Sequence, residues 1–212
     1  MSAPHALRLP RPEGHPVRSR TPADLAGRCG HCFLRDGYCL CGLVPRIDTR
    51  VRFIVIRHNQ ETWKTTNTAR LAALALPNSE IREYGVKGQP FDASVLEAPD
   101  TWLLYPDDGP RVPAQAPPAR LLIVDGSWHQ ARKILRSDPR FWKLPKLSLP
   151  PPPPEARRLR AEHFEQGMST IEAIARAVAL FEGEEKARQL DALHEVMIER
   201  ILALRGRLGP GW

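Results

Sequence analysis

All four cysteines of the chain lie in one short segment, CGHCFLRDGYCLC (29–41). Four thiolates at the spacing C-x2-C-x6-C-x-C can surround one tetrahedral ion, and zinc suits this set of soft ligands. Four protein ligands fill the coordination sphere, so such a zinc ion would be structural. Two disulfides are the alternative, but they are rare in a reducing cytoplasm. We therefore predict a zinc site with the ligands Cys29, Cys32, Cys39 and Cys41.

A second group of reactive side chains follows an apolar run: LLIV leads directly into Asp125, Gly126, Ser127 and Trp128. In open α/β sheets, ligands bind beyond the carboxyl ends of the strands, and Asp125 occupies such an end. Ser127 can cap the helix that follows, with Gln130 as its capping-box partner. Free backbone N–H groups and the small Gly126 would let a ligand approach closely. A structural Asx-type turn, with Trp128 packed in the core, is the alternative.

The elements that must position these groups alternate between strand and helix patterns. Apolar runs predict strands at 51–58, 102–106, 121–125 and 146–150. Helical patterns predict helices at 69–76, 128–135, 168–181 and 190–206. This alternation favours an α/β fold with a mostly parallel sheet.

The last two helices carry clear start, stop and core signals. Ser169 followed by Glu172 predicts a capping box at the start of the first, and Gly206 predicts the end of the second. The residues predicted to face the core are Ile171, Ile174, Val178 and Phe181 in the first helix, and Leu190, Leu193, Met197, Ile201 and Leu204 in the second.

Composition indicates a globular, basic protein. The chain has 212 residues, 42% of them hydrophobic, with a net charge of +7 and a pI of about 9.6. Positive potential of this kind favours a polyanionic partner such as nucleic acid. No apolar run approaches the roughly 18 residues that span a bilayer, and residues 1–27 form a basic, Pro-rich arm without a secretory signal. We therefore expect a cytoplasmic protein that does not bind membranes.

Five motifs in the same order resemble the DTW-domain family, whose hallmark is D-x-[ST]-W after an apolar strand. They are the cysteine segment 29–41, His58 and Glu61 with the TNT of 66–68, LLYP at 103–106, DGSW at 125–128, and STIEA at 169–173. The literal Asp-Thr-Trp at 100–102 lacks the spacer residue and precedes a strand, so it is not this signature. The sequence departs from the family pattern with Ser127 in place of Thr, and with PPPPPEARRLR (150–160) where a Ser-x-Tyr element is expected.

The resemblance implies a fold and a division of the chain. Family members are related to the SPOUT RNA-modification enzymes, so a SPOUT-like α/β knot is implied. The chain would consist of a disordered basic arm (1–27), a zinc module (28–46), a catalytic domain (47–206) and a short tail (207–212). A monomer or a weak dimer is expected.

The resemblance also implies a reaction, the transfer of the 3-amino-3-carboxypropyl group of S-adenosylmethionine to N3 of a tRNA uridine. Asp125, Ser127 and Trp128 are then the candidate catalytic residues. Asp125 would accept or orient the N3 proton, although a free Asp, with a pKa near 3.9, is a weak base. Trp128 would stack on a base or pack in the core. The cofactor would contact Leu104, Tyr105, Pro106, Asp107, Asp125, Gly126, Ser169 and Thr170.

Basic side chains near these loops are candidates for contact with RNA phosphates. They are Lys64, Arg132, Lys133, Arg157, Arg158 and Arg160. Three other functions stay open at this point: a SPOUT-like RNA methyltransferase, a non-catalytic zinc-bearing RNA-binding protein, and an aminocarboxypropyltransferase that acts on ribosomal RNA.

Overall fold

The computed structural model describes residues 26–106, 117–150 and 168–206. Its centre is a sheet of five strands in the order β2-β1-β4-β3-β5. The strands are β1 (Arg52–His58), β2 (Ser79–Tyr84), β3 (Thr101–Leu104), β4 (Arg120–Asp125) and β5 (Lys146–Leu147). Every pair of neighbouring strands runs parallel, which confirms the predicted α/β class. The knotted chain path implied by the resemblance stays a prediction.

Helices cover both faces of the sheet. They are α1 (Thr68–Ala75), α2 (Trp128–Ser137), α3 (Arg140–Lys143), α4 (Thr170–Glu182) and α5 (Glu184–Leu204). The helices α1, α4 and α5 pack with Phe53, Val55 and Ile123 on one face. The helices α2 and α3 pack with Ile54 and Ile56 on the other. Burial on both faces explains why the central strands are continuous apolar runs.

Most predicted elements are present, with shifted ends. The capping boxes of Ser127 and Ser169 both form, as predicted. Gly206 follows α5 with a φ of 65°, in the left-handed region that ends helices. The sequence pattern does not predict β2, because SEIREY lacks an apolar face and lies half-buried at the edge of the sheet. It also misses the single turn α3 and begins α5 too late, at residue 190 instead of Glu184.

The connections of the sheet diverge between β1 and β4. From β1 the chain passes through α1 to β2 on one side, and from β4 it passes through α2 and α3 toward β5 on the other. Neighbouring parallel strands whose connections leave in opposite directions open a crevice at their carboxyl ends, the usual ligand site of such sheets. Arg57 of β1 is in register with Asp125 of β4 at this point.

The cysteine segment packs on the layer formed by α4 and α5. Cys32, Leu34 and Leu40 are buried in the same hydrophobic core as those helices. Arg200 of α5 donates hydrogen bonds to the backbone carbonyls of Tyr38 and Cys39. The segment is therefore anchored to the rest of the domain. In the part of the chain that the structure describes, no helix is long and apolar enough to span a bilayer.

Candidate active site and metal centre

The carboxylate of Asp125 joins three elements at the crevice. The side chain is only 6% exposed. Asn67, just before α1, donates its amide N–H to Oδ2 at 2.6 Å, and Thr170, the first residue of α4, donates its hydroxyl to Oδ1 at 2.5 Å. Burial raises the pKa of Asp125, and these two hydrogen bonds oppose the rise without cancelling it. A carboxyl with a raised pKa is a better proton acceptor than an ordinary Asp.

Asn67 has two structural tasks. Its Oδ1 accepts a hydrogen bond from the backbone N–H of Arg70 at 3.1 Å, which caps α1. The same oxygen accepts from Nη1 of Arg57 at 3.3 Å. The structure therefore shows Asn67 as the cap of α1, buried against Asp125.

An ion pair that sequence reasoning missed supports this network. Arg57 of β1 pairs with Glu83, its register partner on β2, and donates Nε to Oε1 at 3.0 Å. Thr62 donates its hydroxyl to Oε2 of Glu83 at 2.8 Å. The sequence offers no signal for this pair, because charged residues at strand ends are common and β2 itself is not predicted. The pair places a guanidinium near Asp125 that partly offsets the burial of that carboxyl.

The start of α2 follows the end of β4, and α2 packs on the opposite face of the sheet from α1 and α4. Ser127 accepts from the backbone N–H of Gln130 at 3.4 Å, and Oε1 of Gln130 accepts from the N–H of Ser127 at 2.7 Å. The amide of Gln130 also reaches Oε1 of Gln60, beyond the end of β1, at 2.9 Å. A Cβ at Gly126 would lie 3.0 Å from the side chain of Gln130 and 3.5 Å from Cβ of His58. Gly126 therefore makes room for the side chain of Gln130, and it is itself exposed.

Trp128 begins α2 and is half-buried, in neither of the two hydrophobic cores. Trp128 is therefore not a core residue, and it follows the end of β4 by three positions. His58 closes the end of β1, and its Nδ1 accepts from the backbone N–H of Gln60 at 3.3 Å. Burial and the charge of Lys133 lower the pKa of His58, so the imidazole is neutral at physiological pH.

The predicted cofactor residues fall in three places. Leu104 pairs with Ile123 in the sheet, so Tyr105 and the exposed Pro106 stand just beyond the carboxyl end of β3. Ser169 caps α4 beside Thr170, which contacts Asp125 directly. The structure thus brings the α4 start and the β4 end together, with the β3 end on the adjacent strand. Asp107 lies outside the described residues.

The four cysteine sulfurs form a compact group. All four lie within 4.8 Å of one another, and none forms a disulfide. The Sγ atoms of Cys29 and Cys41 are 3.5 Å apart, and those of Cys32 and Cys39 are 3.8 Å apart. Zinc–sulfur bonds of about 2.3 Å in a tetrahedron separate sulfurs by about 3.8 Å, so the group fits one zinc ion. Burial raises the pKa of Cys32 and Cys41, so a bound cation would be needed to keep them ionised.

The cysteine segment touches the loop that supports Asn67. The guanidinium of Arg70 lies 3.7 Å from the ring centroid of Phe33, which itself stacks on Trp63 at 5.5 Å. Arg70 also donates to the backbone carbonyls of Thr62 and Lys64, so it holds the loop before α1. The cysteine segment and the loop that holds Asn67 are therefore linked by packed side chains.

The predicted phosphate-binding residues differ in availability. Arg132 and Lys133 are exposed on α2. Lys64 is less available for a phosphate, because its Nζ pairs with the buried Glu61 at 2.5 Å. Arg157, Arg158 and Arg160 lie outside the described residues, as do most of the basic arm and the proline run.

The protein is thus a parallel α/β domain that has polar side chains at the switch point of its sheet. A cluster of four cysteines packs against the same domain. The chain belongs to the DTW domain family, whose model matches residues 26–202. It is 27% identical over 183 residues to tRNA-uridine aminocarboxypropyltransferase 2 of Drosophila melanogaster, covering 81% of this chain and 73% of the relative. The enzymes of that name from Macaca fascicularis and Mus musculus are each 24% identical over 174 residues. These alignments cover 76% of this chain and 58% of either relative, so the chain spans under two thirds of their length. No solved structure matches the chain significantly.

Proposed function

We propose that the chain transfers the 3-amino-3-carboxypropyl group of S-adenosylmethionine to N3 of a tRNA uridine. The names of three relatives support the reaction class and the substrate. The observation that carries the proposal in this chain is Asp125, a buried carboxyl with a raised pKa at the switch point of the sheet.

The reaction sets two demands on the protein. A bond forms between N3 and the terminal carbon of the propyl chain, the bond from that carbon to sulfur breaks, and methylthioadenosine leaves with the electron pair. The N3 proton must go to an acceptor, because a neutral imide is a poor nucleophile. The propyl carbon, and not the methyl group, must also face N3, which is a problem of positioning.

Asp125 meets the first demand in this proposal. Each of its oxygens accepts one hydrogen bond, from Asn67 and from Thr170. A carboxylate has about four lone-pair sites, so each oxygen keeps one for N3–H. The two existing bonds fix the plane of the carboxyl, so it orients N3–H before it accepts the proton. Ser127 holds the start of α2, and the partly exposed Trp128 supplies a stacking surface for a base.

The loops around Asp125 meet the second demand. The proposed contacts of S-adenosylmethionine are Leu104, Tyr105 and Pro106 at the end of β3, Gly126 at the end of β4, and Ser169 and Thr170 at the start of α4. Asp107, which follows Pro106 in the sequence and lies outside the described residues, is a further proposed contact. Their fit rests on one observed contact, the bond between Thr170 and Asp125, which fixes α4 against β4. Zinc has no chemical step in this scheme, because its four thiolate ligands leave no open position.

Nucleoside mass analysis tests the proposal. Unmodified tRNA and, separately, ribosomal RNA are incubated with the protein and S-adenosylmethionine. Wild type is compared with Asp125→Asn and with Asp48→Asn, the same change at an exposed carboxylate paired to Arg46. A uridine in tRNA that gains the aminocarboxypropyl mass with wild type and Asp48→Asn, but not with Asp125→Asn, supports the proposal.

Other results would replace the proposed function. A methyl mass identifies an RNA methyltransferase. Product on ribosomal RNA alone changes the substrate. No new mass, together with no binding of S-adenosylmethionine, leaves a zinc-bearing RNA-binding protein with a structural turn at Asp125.

A further inference from the structure

The exposed aromatic side chain of α3 lies beside the proposed cofactor loop. Trp142 is 43% exposed, unusual for an indole, and its neighbour Phe141 is fully buried in the core. The Trp142 ring makes an edge contact with Tyr105 at 5.6 Å between centroids. The indole therefore stands on the surface next to the residue that follows β3, with part of its ring open to solvent.

One cation contacts this indole, and a second follows it in the sequence. The Nζ of Lys146 lies 5.3 Å from the Trp142 ring centroid, and Lys143 is exposed next to it in sequence. Helix α2 packs against α3 and turns Ile134 and Leu135 inward. Its outward face carries three exposed cations, Arg132, Lys133 and Arg136.

Four cations of α2 and α3 have no carboxylate partner among the described residues, whereas Arg140 of α3 is paired. Within residues 26–106, 117–150 and 168–206, no carboxylate pairs with Arg132, Lys133, Arg136 or Lys143. The nearby acids Asp138 and Glu97 are both paired with Arg140. In the described part of the chain, four cations without a carboxylate partner therefore lie on the same two helices as one exposed aromatic ring. This combination matches a polyanion that also presents flat, stackable bases.

We propose that the outward faces of α2 and α3, centred on Trp142, are the docking surface for the RNA substrate, and that the Trp142 indole stacks on a nucleobase. The choice of RNA over another polyanion rests on the proposed function. The phosphates would lie along Arg132, Lys133, Arg136 and Lys143. The contact of Trp142 with Tyr105 would then place the bound strand beside the cofactor loop.

The equilibrium affinity for transcribed, unmodified tRNA tests the docking surface without any catalytic step. The variants are Trp142→Ala, Trp142→Tyr, and Leu180→Ala on α4, an exposed apolar residue in the opposite helical layer. Stacking on an aromatic ring contributes enough that Trp142→Ala should weaken the Kd about tenfold, while Trp142→Tyr stays within about threefold of wild type. Leu180→Ala should bind as wild type does. Thermal unfolding of each variant shows that the fold is kept.

Charge variants test the proposed contacts between RNA phosphates and the cations of α2 and α3. The double variant Arg136→Gln, Lys143→Gln removes two cations, and Arg188→Gln removes an exposed cation on α5. The slope of log Kd against log salt should fall by about 0.7 to 1 for each lost phosphate contact in the double variant, and should not change in Arg188→Gln.

The outcomes separate the docking surface from the reaction. A folded Trp142→Ala that binds tRNA as wild type does, or a loss equal to that of Leu180→Ala, overturns the docking surface even if the aminocarboxypropyl product forms. Binding that depends on Trp142, with no product from wild type, keeps the docking surface and overturns the proposed reaction.

Discussion

The side-chain amide of Asn67 bonds in two directions, donating to the carboxylate of Asp125 at 2.6 Å and accepting from the backbone N–H of Arg70 at 3.1 Å. The residue that caps α1 is therefore also a hydrogen-bond donor to the carboxyl at the end of β4. With Thr170 on the other oxygen, one buried carboxyl fixes the starts of two helices against one strand. Its position is set by three elements that lie far apart in the sequence.

Replacing Asp125 should separate activity from stability. We expect Asp125→Asn to lower the turnover of aminocarboxypropyl transfer by about 100-fold or more, the usual effect of losing a positioned proton acceptor. Stability should hardly fall, because Asn has the same shape and can still accept one hydrogen bond. Turnover and the unfolding midpoint of the same preparations test both expectations, and an inactive variant that has also unfolded would not count in favour.

The difference in stability between Asp125→Asn and wild type should change with pH in one direction. Because burial raises the pKa of Asp125 in the folded state, folding favours the protonated carboxyl, and the ionised form costs stability. This cost is present above the folded-state pKa and disappears below the unfolded value near 3.9. The stability of Asp125→Asn relative to wild type should therefore be greatest at neutral pH and should decline as the pH falls.

The hydroxyl of Thr170 should be needed for the position of the Asp125 carboxyl. Thr170→Val keeps the shape of the side chain but removes the donor to Oδ1, leaving a buried oxygen without that partner. We expect the free energy of unfolding to fall by about 1 to 3 kcal/mol. Thr170→Ser keeps the donor and should lose less, and urea unfolding of the two variants compares them. A loss in Thr170→Ser with none in Thr170→Val would show that packing of the methyl group, and not the hydrogen bond, holds the start of α4.

Local signals in the sequence predict the individual parts of the site. The apolar runs of β1 and β4 identify buried strands, and Ser169 with Glu172 identifies the start of α4, because strand burial and helix capping depend on nearby residues. The cysteine spacing likewise predicts the sulfur cage that the structure contains.

The contacts between those parts are not predictable from one sequence. Asn67 and Asp125 are 58 residues apart, and nothing local reveals that an amide will bond that carboxyl. Arg57 and Glu83 meet only through the parallel register of β1 with β2, a polar edge strand without an apolar pattern. Gly126 suggests a site open to ligand, whereas in the fold its missing side chain also makes room for Gln130.

Zinc should contribute to the stability of the whole domain. We expect one zinc ion per chain by metal analysis, lost in Cys39→Ser and kept in His31→Ala, a control within the same loop. Chelation should lower the unfolding temperature in a single transition, because Leu34 and Leu40 share the core with α4 and α5 and metal binding adds to the folding free energy. A chelated protein that unfolds at the same temperature would show that the cysteine segment folds without metal.

Protonation of His58 should lower the stability of the folded protein at mildly acidic pH. Burial and the nearby charge of Lys133 lower the pKa of His58, so the folded state binds its proton less readily than the unfolded state does. The stability that comes from the neutral ring is present above the unfolded value of about 6.5 and is lost as the pH falls toward the folded value. A protonated ring also cannot accept from the N–H of Gln60. Unfolding midpoints of wild type and His58→Gln between about pH 5 and 8 should converge as the pH falls. If the two curves stay parallel while NMR gives His58 an ordinary pKa, the imidazole is not the titrating group at this strand end.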